Sequence, residues 1–343
     1  MKLKPNKLKK GDTIAFIAPA SGFAALVPHR LEKAKQFFEE KGYKVKIFPT
    51  ATKNIGLSSD TPENRAKDFN DAFRDSKIKA IICTIGGNSS HQILEYLDAD
   101  LIKKNPKIFC GYSDITSLHF FLNKICNLVT FYGPTVIPEF GETLNLEKYT
   151  VEYFFKAVAN SEPIGEVKPS KKWTDFKELN WLEKEDLKIE RKYKLNKGYE
   201  WLKKGKSEGE IMGGCITSMM HTRGTKYWPD FEGNILLLET PEGESFDKGE
   251  SIANIDAFLT DLRISNVFEK IKGIVFGRGF GYNEDDLKKL KGSMLENSRG
   301  NNFPILFNVD IGHSDPKITI PLGVKVSLDS EKNCFTILES GVK

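Results

Sequence analysis

Three short stretches carry residue types that together can break an acyl bond. Gly111-Tyr112-Ser113-Asp114 follows the apolar run Lys107-Ile108-Phe109-Cys110 and precedes an amphipathic run from Ile115 to Leu122. A serine between a buried strand and a helix stands on a sharp turn that lifts its hydroxyl clear of the sheet. The N–H of Asp114 then faces the place where an oxyanion forms. Ile235-Leu236-Leu237-Leu238-Glu239 is an apolar run closed by an acid, and Gly312-His313-Ser314-Asp315-Pro316 is a loop holding an imidazole. A serine hydroxyl is a weak nucleophile at neutral pH. It needs a neutral imidazole to take its proton and a carboxylate to fix that imidazole's tautomer.

Each fragment also has a plainer reading. A serine at such a turn is commonly a helix cap, and Gly-Tyr-Ser-Asp lacks the second glycine of the G-x-S-x-G elbow. Glu239 can simply mark where a buried strand leaves for solvent, and Glu242 and Glu244 are competing acids. An acid closing a buried strand is nevertheless costly unless paired. Five histidines limit the choice of base. His119 lies six residues after Ser113 in the same helical pattern and cannot readily turn back. His29 and His91 sit at helix starts, and His221 follows Met219 and Met220 in a helix-like segment. His313 alone stands in a glycine-preceded loop between two aspartates, Asp310 and Asp315.

The elements that must position these groups read as alternating strands and helices. Thr13 to Ala18, Val45 to Ile47, Ala80 to Thr84 and Ile108 to Cys110 are strand-like. Between them lie helical faces at Leu31, Ala34, Phe37 and Phe38, closed by Gly42, and at Ala66, Phe69, Ala72 and Phe73, started by Thr61-Pro62. A further helix is expected around Ile93, Leu94 and Leu97. Such alternation implies α/β architecture with a parallel sheet covered on both faces and ligands beyond the strands' carboxyl ends. Gly86-Gly87-Asn88-Ser89-Ser90 falls at one such end. It has neither a Walker lysine nor G-x-G-x-x-G spacing, so a second oxyanion donor suits it better than a phosphate cradle.

From about residue 165 the pattern changes. Residues 167 to 207 are dense in Lys and Glu, with Trp173, Trp181 and Trp201 interspersed, which suits a solvated connector or a loop covering the site. Regular elements return with a Gly213-Gly214 turn, the strand to Glu239, a helix with Ile252, Ile255, Phe258, Leu259 and Leu262, and a closing hairpin. The expected division is 1–165, an α/β nucleophile domain; 166–207, a connector or active-site loop; and 208–343, a domain carrying the acid and base.

At 343 residues, with 39% hydrophobic and 29% charged side chains, the chain suits two globular domains rather than a disordered segment. The net charge of +4 comes from scattered lysines, so no nucleic-acid partner is expected. No apolar run is long enough for a membrane span, and the stretch Ile14 to Ala20 resembles a first strand more than a signal peptide. The five cysteines lack C-x-x-C spacing. A cytoplasmic location is the expectation.

Taken together, Thr84-Ile85-Gly86-Gly87-Asn88-Ser89, Gly111-Tyr112-Ser113-Asp114 and Gly312-His313-Ser314-Asp315-Pro316 with Ile320-Pro321-Leu322-Gly323 resemble the LD-carboxypeptidase family of serine peptidases. That family includes muropeptide LD-carboxypeptidases and microcin C self-immunity peptidases. Ala18-Pro19-Ala20-Ser21 and Gly213-Gly214 match in order. The resemblance implies a Ser–Glu–His triad on Ser113, Glu239 and His313, with an oxyanion hole from the amides of Gly87 and Asp114. It also implies a flavodoxin-like N-terminal domain, a mainly β C-terminal domain, a homodimer, a small peptide-like substrate, no cofactor and no metal. Thr-Ile-Gly-Gly-Asn-Ser and Asn180-Trp181 look more like the microcin-immunity branch, in which an aromatic residue of this loop, here Trp181, helps hold an aminoacyl nucleotide. Thr240 stands where many members carry Asp. Two other functions are weighed beside this one: a two-domain binding protein without turnover, and a nucleotide-dependent enzyme built on Gly86-Gly87, which the missing phosphate lysine disfavours.

Overall fold

The alternating first half closes into a six-stranded sheet in the computed structural model, which describes residues 2–175, 179–245 and 247–343. Across the sheet the strands run Lys44–Ile47, Thr13–Ile17, Ile78–Cys83, Ile108–Gly111, Thr130–Tyr132 and Ile320–Leu322. The first five are parallel in the flavodoxin-like order 2-1-3-4-5. Side chains alternate between its two faces, as a period of two requires. Ile14, Phe16, Ala80 and Ile82 pack in one cluster with Leu31, Ala34 and Phe38 of the helix Pro28–Glu40. Ala15, Ile17, Ile81 and Cys83 pack in the other with Ala66, Phe69 and Phe73 of the helix Pro62–Arg74. Thr61 caps that second helix by accepting from the Asn64 N–H.

The sixth strand is contributed from far along the chain. Ile320–Leu322 follows the His313 loop and pairs antiparallel with Thr130–Tyr132, setting Ile320 opposite Tyr132. This pairing draws the histidine loop to the same end of the strands as Ser113. The arrangement of strand ends is also held by Arg65, which is fully buried. It donates to the carbonyls of Pro19, Asp60 and Ser89, fastening the loops after the first and third strands to one another.

The second half is built on an eight-stranded sheet in the order Gly165–Val167, Cys334–Ile337, Lys325–Asp329, Lys206–Cys215, Ile235–Glu239, Gly273–Gly277, Ile305–Val309 and Glu200–Lys203. Its middle four strands are parallel and its flanks antiparallel. The helices Ile252–Ile264 and Glu284–Asn297 pack against each other beside it. The closing hairpin forms as Lys325–Asp329 with Cys334–Ile337.

Three local expectations are corrected or refined by the structure. Gly213 and Gly214 do not turn; they lie inside the strand Lys206–Cys215. They are glycines because the backbone there has φ of 142° and 157° and neighbours press in. A Cβ on Gly213 would lie 2.0 Å from the Leu237 carbonyl oxygen, and one on Gly214 2.5 Å from Thr116 Oγ1. The helix expected around Ile93 and Leu94 forms as a tighter 3₁₀ helix, Ser90–Tyr96, and Leu97 falls just past its end. The connector is partly regular: Lys172–Trp173 pairs with Lys194–Leu195, and Glu200–Lys203 completes the second sheet. Residues 176–178 of that connector lie outside the described residues. No helix among the described residues is long and apolar enough to cross a membrane.

Candidate active site

Ser113 follows the strand Ile108–Gly111 and opens a 3₁₀ turn, Ser113–Ile115, which runs into the helix Thr116–Lys124. Its φ is 63°, a left-handed conformation costing a non-glycine residue about 1–2 kcal/mol. Strain of this kind persists only where surroundings enforce it. Here the Ser113 N–H donates to the Tyr132 hydroxyl at 3.2 Å, and Thr116 Oγ1 donates to the Ser113 carbonyl at 2.6 Å. The outcome is a hydroxyl pointed away from the sheet toward the histidine loop.

His313 and Glu239 complete a continuous hydrogen-bonded line. Ser113 Oγ lies 3.0 Å from His313 Nε2, and His313 Nδ1 lies 2.7 Å from Glu239 Oε2. Oriented this way, Nδ1–H donates to the carboxylate and Nε2 is free to accept the serine proton. Glu239 ends the strand Ile235–Glu239 and is fully buried. Its second oxygen accepts from Tyr132 OH at 2.6 Å, so both oxygens are paired and the burial cost of the charge is offset. Burial, followed by the charge of Glu239, pushes the Tyr132 pKa well above its ordinary value and keeps this hydroxyl a neutral donor. Gly277 and Gly312 let the carboxylate in: a Cβ on Gly312 would sit 2.5 Å from Glu239 Oε2, and one on Gly277 2.9 Å from Glu239 Cβ.

A second acid touches the same imidazole. Glu242 Oε2 lies 3.1 Å from His313 Nε2, and its side chain is about one-third exposed, at 32%. Glu239 and Glu242 therefore address opposite ring nitrogens. Burial of the ring pulls the His313 pKa down, but the charges of Glu239 and Glu242 outweigh it, and the net shift is upward.

The Gly86–Gly87 segment lies against the serine. A Cβ on Gly86 would stand 2.9 Å from Ser113 Cβ, 3.0 Å from its Oγ and 3.4 Å from the Asp114 nitrogen. Gly87 has φ of 144°, and a Cβ there would meet the Ser21 nitrogen at 2.9 Å. Asp114 ties this segment to the serine turn: its Oδ2 accepts from the N–H groups of Ser89 and Ser90, and Ser90 Oγ donates to its carbonyl. Two backbone strands that close beside a serine hydroxyl can offer amides to a single oxyanion.

Trp181 lies apart from the hydrogen-bonded line, stacked on charge. The Arg30 guanidinium sits 4.1 Å above its ring and Phe23 flanks it at 6.2 Å. The connector and the histidine loop are joined by a chain of buried ion pairs. Arg30 pairs with Asp186, Arg191 bridges Glu142 and Asp315, and Lys317 bridges Asp315 and Glu139. Burial alone would raise the Asp315 pKa, but Lys317 and Arg191 lower it to about 2. The remaining histidines serve other ends. His119 is buried between Thr130 Oγ1 and the Gly111 carbonyl, and burial pushes its pKa down to about 4. His29 pairs with Asp186, and His91 stacks on His221.

The sequence placed Ser113, Glu239, His313, Gly86-Gly87 and Asp114 on separate segments, and the structure gathers them around one hydroxyl. Tyr132 was missed, although its signal was present: Thr130-Phe131-Tyr132-Gly133 is an apolar run ending level with the serine strand. Glu242 was read only as a rival to Glu239. The pairing of Arg191 with Asp315 and of Lys317 with Glu139 carried no signal, because each joins segments more than 120 residues apart.

Residues 14–133 match the LD-carboxypeptidase N-terminal domain, and residues 208–328 match the LD-carboxypeptidase C-terminal domain. The chain belongs to the LD-carboxypeptidase family. Over 97% of its length it is 32% identical to the microcin C7 self-immunity protein MccF of Escherichia coli, covering 94% of that protein. Among solved structures it is similar to MccF in complex with glutamyl sulfamoyl guanosine, with a TM-score of 0.91 and 29% identity over 99% of this chain and all of that one. An MccF-like protein from Bacillus anthracis aligns with a TM-score of 0.89 and 32% identity, covering 98% of this chain and 99% of that one. Membership makes this protein a serine peptidase of carboxypeptidase type, and the non-catalytic binding-protein reading falls away.

Proposed function

We propose that Ser113 is the nucleophile, His313 the general base and then acid, and Glu239 the group that orients His313 and stabilises its imidazolium. Ser113 Oγ attacks the amide carbonyl carbon as its proton passes to His313 Nε2. The amides of Gly87 and Asp114 take the oxyanion. Collapse of the tetrahedral intermediate breaks the C–N bond, and Nε2–H gives its proton to the leaving amine. Water then attacks the acyl-enzyme with His313 again as base, and the product acid leaves Ser113 free. The observation that carries this reading is the unbroken line Ser113 Oγ–His313–Glu239, with Nε2 at 3.0 Å and Nδ1 at 2.7 Å.

For substrate, the reading we favour is a small peptidyl or aminoacyl nucleotide amide, with Trp181 offering ring surface to the nucleotide. Support comes from the Trp181 ring, held between Arg30 and a tilted Phe23, and from the ligand named for the MccF structure. The muropeptide L,D-bond is the second candidate, on the strength of the family itself. The same proposal takes the protein as a cytoplasmic homodimer divided at 1–165, 166–207 and 208–343. A panel of aminoacyl sulfamoyl nucleosides and an L,D-linked tetrapeptide, assayed by product chromatography with wild type and Ser113→Ala, tests it. Ser113-dependent cleavage of the nucleoside conjugates is expected. Cleavage of the tetrapeptide alone would reverse the substrate order, and cleavage that survives Ser113→Ala would remove the mechanism.

A further inference from the structure

Beside the serine turn, three metal-binding side chains converge. They are His91 of the 3₁₀ helix Ser90–Tyr96, Asp114 beside the serine, and His221 at the end of the helix Ile216–Met220. One ligand atom from each lies within 4.8 Å of the other two. The two imidazoles stack face to face, with centroids 4.5 Å apart and planes inclined by 24°.

The polar atoms here are unevenly used. Asp114 is fully buried, and its Oδ2 already accepts from the amides of Ser89 and Ser90. Its Oδ1 is buried without a hydrogen-bond partner among the described residues, and so is His91 Nδ1. A buried carboxylate oxygen and a buried imidazole nitrogen left without protein partners in one cluster are exceptions that an ion or an ordered water can satisfy. Ring stacking accounts for the imidazoles but leaves both atoms unsatisfied.

We propose that His91, Asp114 and His221 form a site for one divalent transition-metal ion of the zinc class. Two imidazoles and one carboxylate suit such an ion, with an exchangeable fourth position. Tetrahedral bonds of about 2.0–2.1 Å set ligand atoms roughly 3.3 Å apart, so the cluster must draw in by at most about 1.5 Å. His221 can supply that movement, because it is exposed and ends a short helix. The ion would clamp the turn that carries Ser113 to the 3₁₀ helix after Gly86–Gly87, both from the first half of the chain, and to the helix after Lys206–Cys215 from the second. The expectation drawn from the family resemblance carried no metal, so the site departs from it.

The test uses untagged full-length protein, stripped with a chelator and dialysed, then titrated with Co²⁺ and with Zn²⁺. One equivalent of Co²⁺ should bind with the visible absorption of a low-symmetry, tetrahedral-like site and be displaced by Zn²⁺. At a hundredfold excess over Kd, Zn²⁺ should raise Tm by about 4 °C, given the unfolding entropy of a chain this long. His221→Ala, an exposed change that spares the core, and His91→Ala should each abolish both signals. His29→Gln, a histidine elsewhere in the fold, should leave them intact. Absence of stoichiometric binding to wild type, or binding that survives His221→Ala or His91→Ala, overturns the proposal. Should His91→Ala fail to fold, His221→Ala decides alone.

Discussion

Replacing Glu239 with Gln changes one oxygen for one nitrogen at the buried end of the proposed relay, and the geometry sets the size of the effect. The carboxylate accepts from His313 Nδ1 on one oxygen and from Tyr132 OH on the other. A glutamine amide has one acceptor and one donor face, so it cannot serve both. With its carbonyl toward Nδ1–H, its NH₂ meets Tyr132 OH, and the tyrosine proton loses its acceptor. With its NH₂ toward Nδ1, the ring must take the opposite tautomer, and Nε2–H can no longer accept the serine proton. Either way the imidazolium formed during attack loses a buried anion. At an effective dielectric near 20 that attraction is worth roughly 4 kcal/mol, and the lost charged hydrogen bond adds to it. The sum, roughly 5.5–7 kcal/mol, corresponds to a fall of about 10⁴–10⁵ in rate. The rate of inactivation by a fluorophosphonate at neutral pH, followed by intact mass, measures it without assuming a substrate. Glu239→Gln should slow modification by that factor while Tm moves by only a few degrees. A rate within about tenfold of wild type, or a larger loss for Glu242→Gln, would refute the assignment of the acid.

Other expectations follow from the same geometry. Glu242→Gln removes a charge that holds the His313 pKa up, so His313 stays neutral to lower pH; the acid limb of kcat/KM should shift to lower pH, and an unmoved or upward-shifted limb contradicts the contact's role. By the same shift, His313 contributes to stability below the ordinary imidazole pKa and loses that contribution as pH rises through its raised value; denaturant midpoints of wild type and His313→Gln should converge over that range. Gly86→Ala puts a Cβ 2.9 Å from Ser113 Cβ and should cut fluorophosphonate modification by about 10² or more through misplacement of the hydroxyl. Trp181→Ala should raise KM for a nucleoside-bearing substrate more than for an L,D-linked tetrapeptide, and equal effects in kinetic assays would leave the ring a packing residue.

How much of this could be read from the chain depends on the range of the interactions concerned. The parallel sheet is legible because period-two strands and amphipathic helices are local: Phe69 and Phe73 announce a helix face whatever lies opposite. The serine turn is legible for the same reason, since a buried strand, a serine and a helix follow one another without a break from Ile108 to Lys124. What the pattern does not carry is pairing between distant segments. Ile320–Leu322 joins the first sheet although it lies in the second half, because its apolar side chains fit the open edge beside Thr130–Tyr132. Gly213 and Gly214 look like a turn by composition, yet they are glycines because Leu237 and Thr116 press on them. Tyr132 and Glu242 gain their roles only when strand ends and loops meet, and the ion pairs of Arg191, Asp315 and Lys317 are read only in three dimensions.

The central claim is that Ser113 Oγ is the nucleophile that takes the acyl group. Peptide mapping by mass spectrometry after stoichiometric fluorophosphonate treatment tests it most directly, run in parallel on wild type, Ser113→Ala and His313→Ala. The account predicts one adduct per chain, on the peptide containing Ser113, absent from Ser113→Ala and slowed by at least about 10³ in His313→Ala. An adduct on another residue, or undiminished labelling of Ser113→Ala, would contradict it.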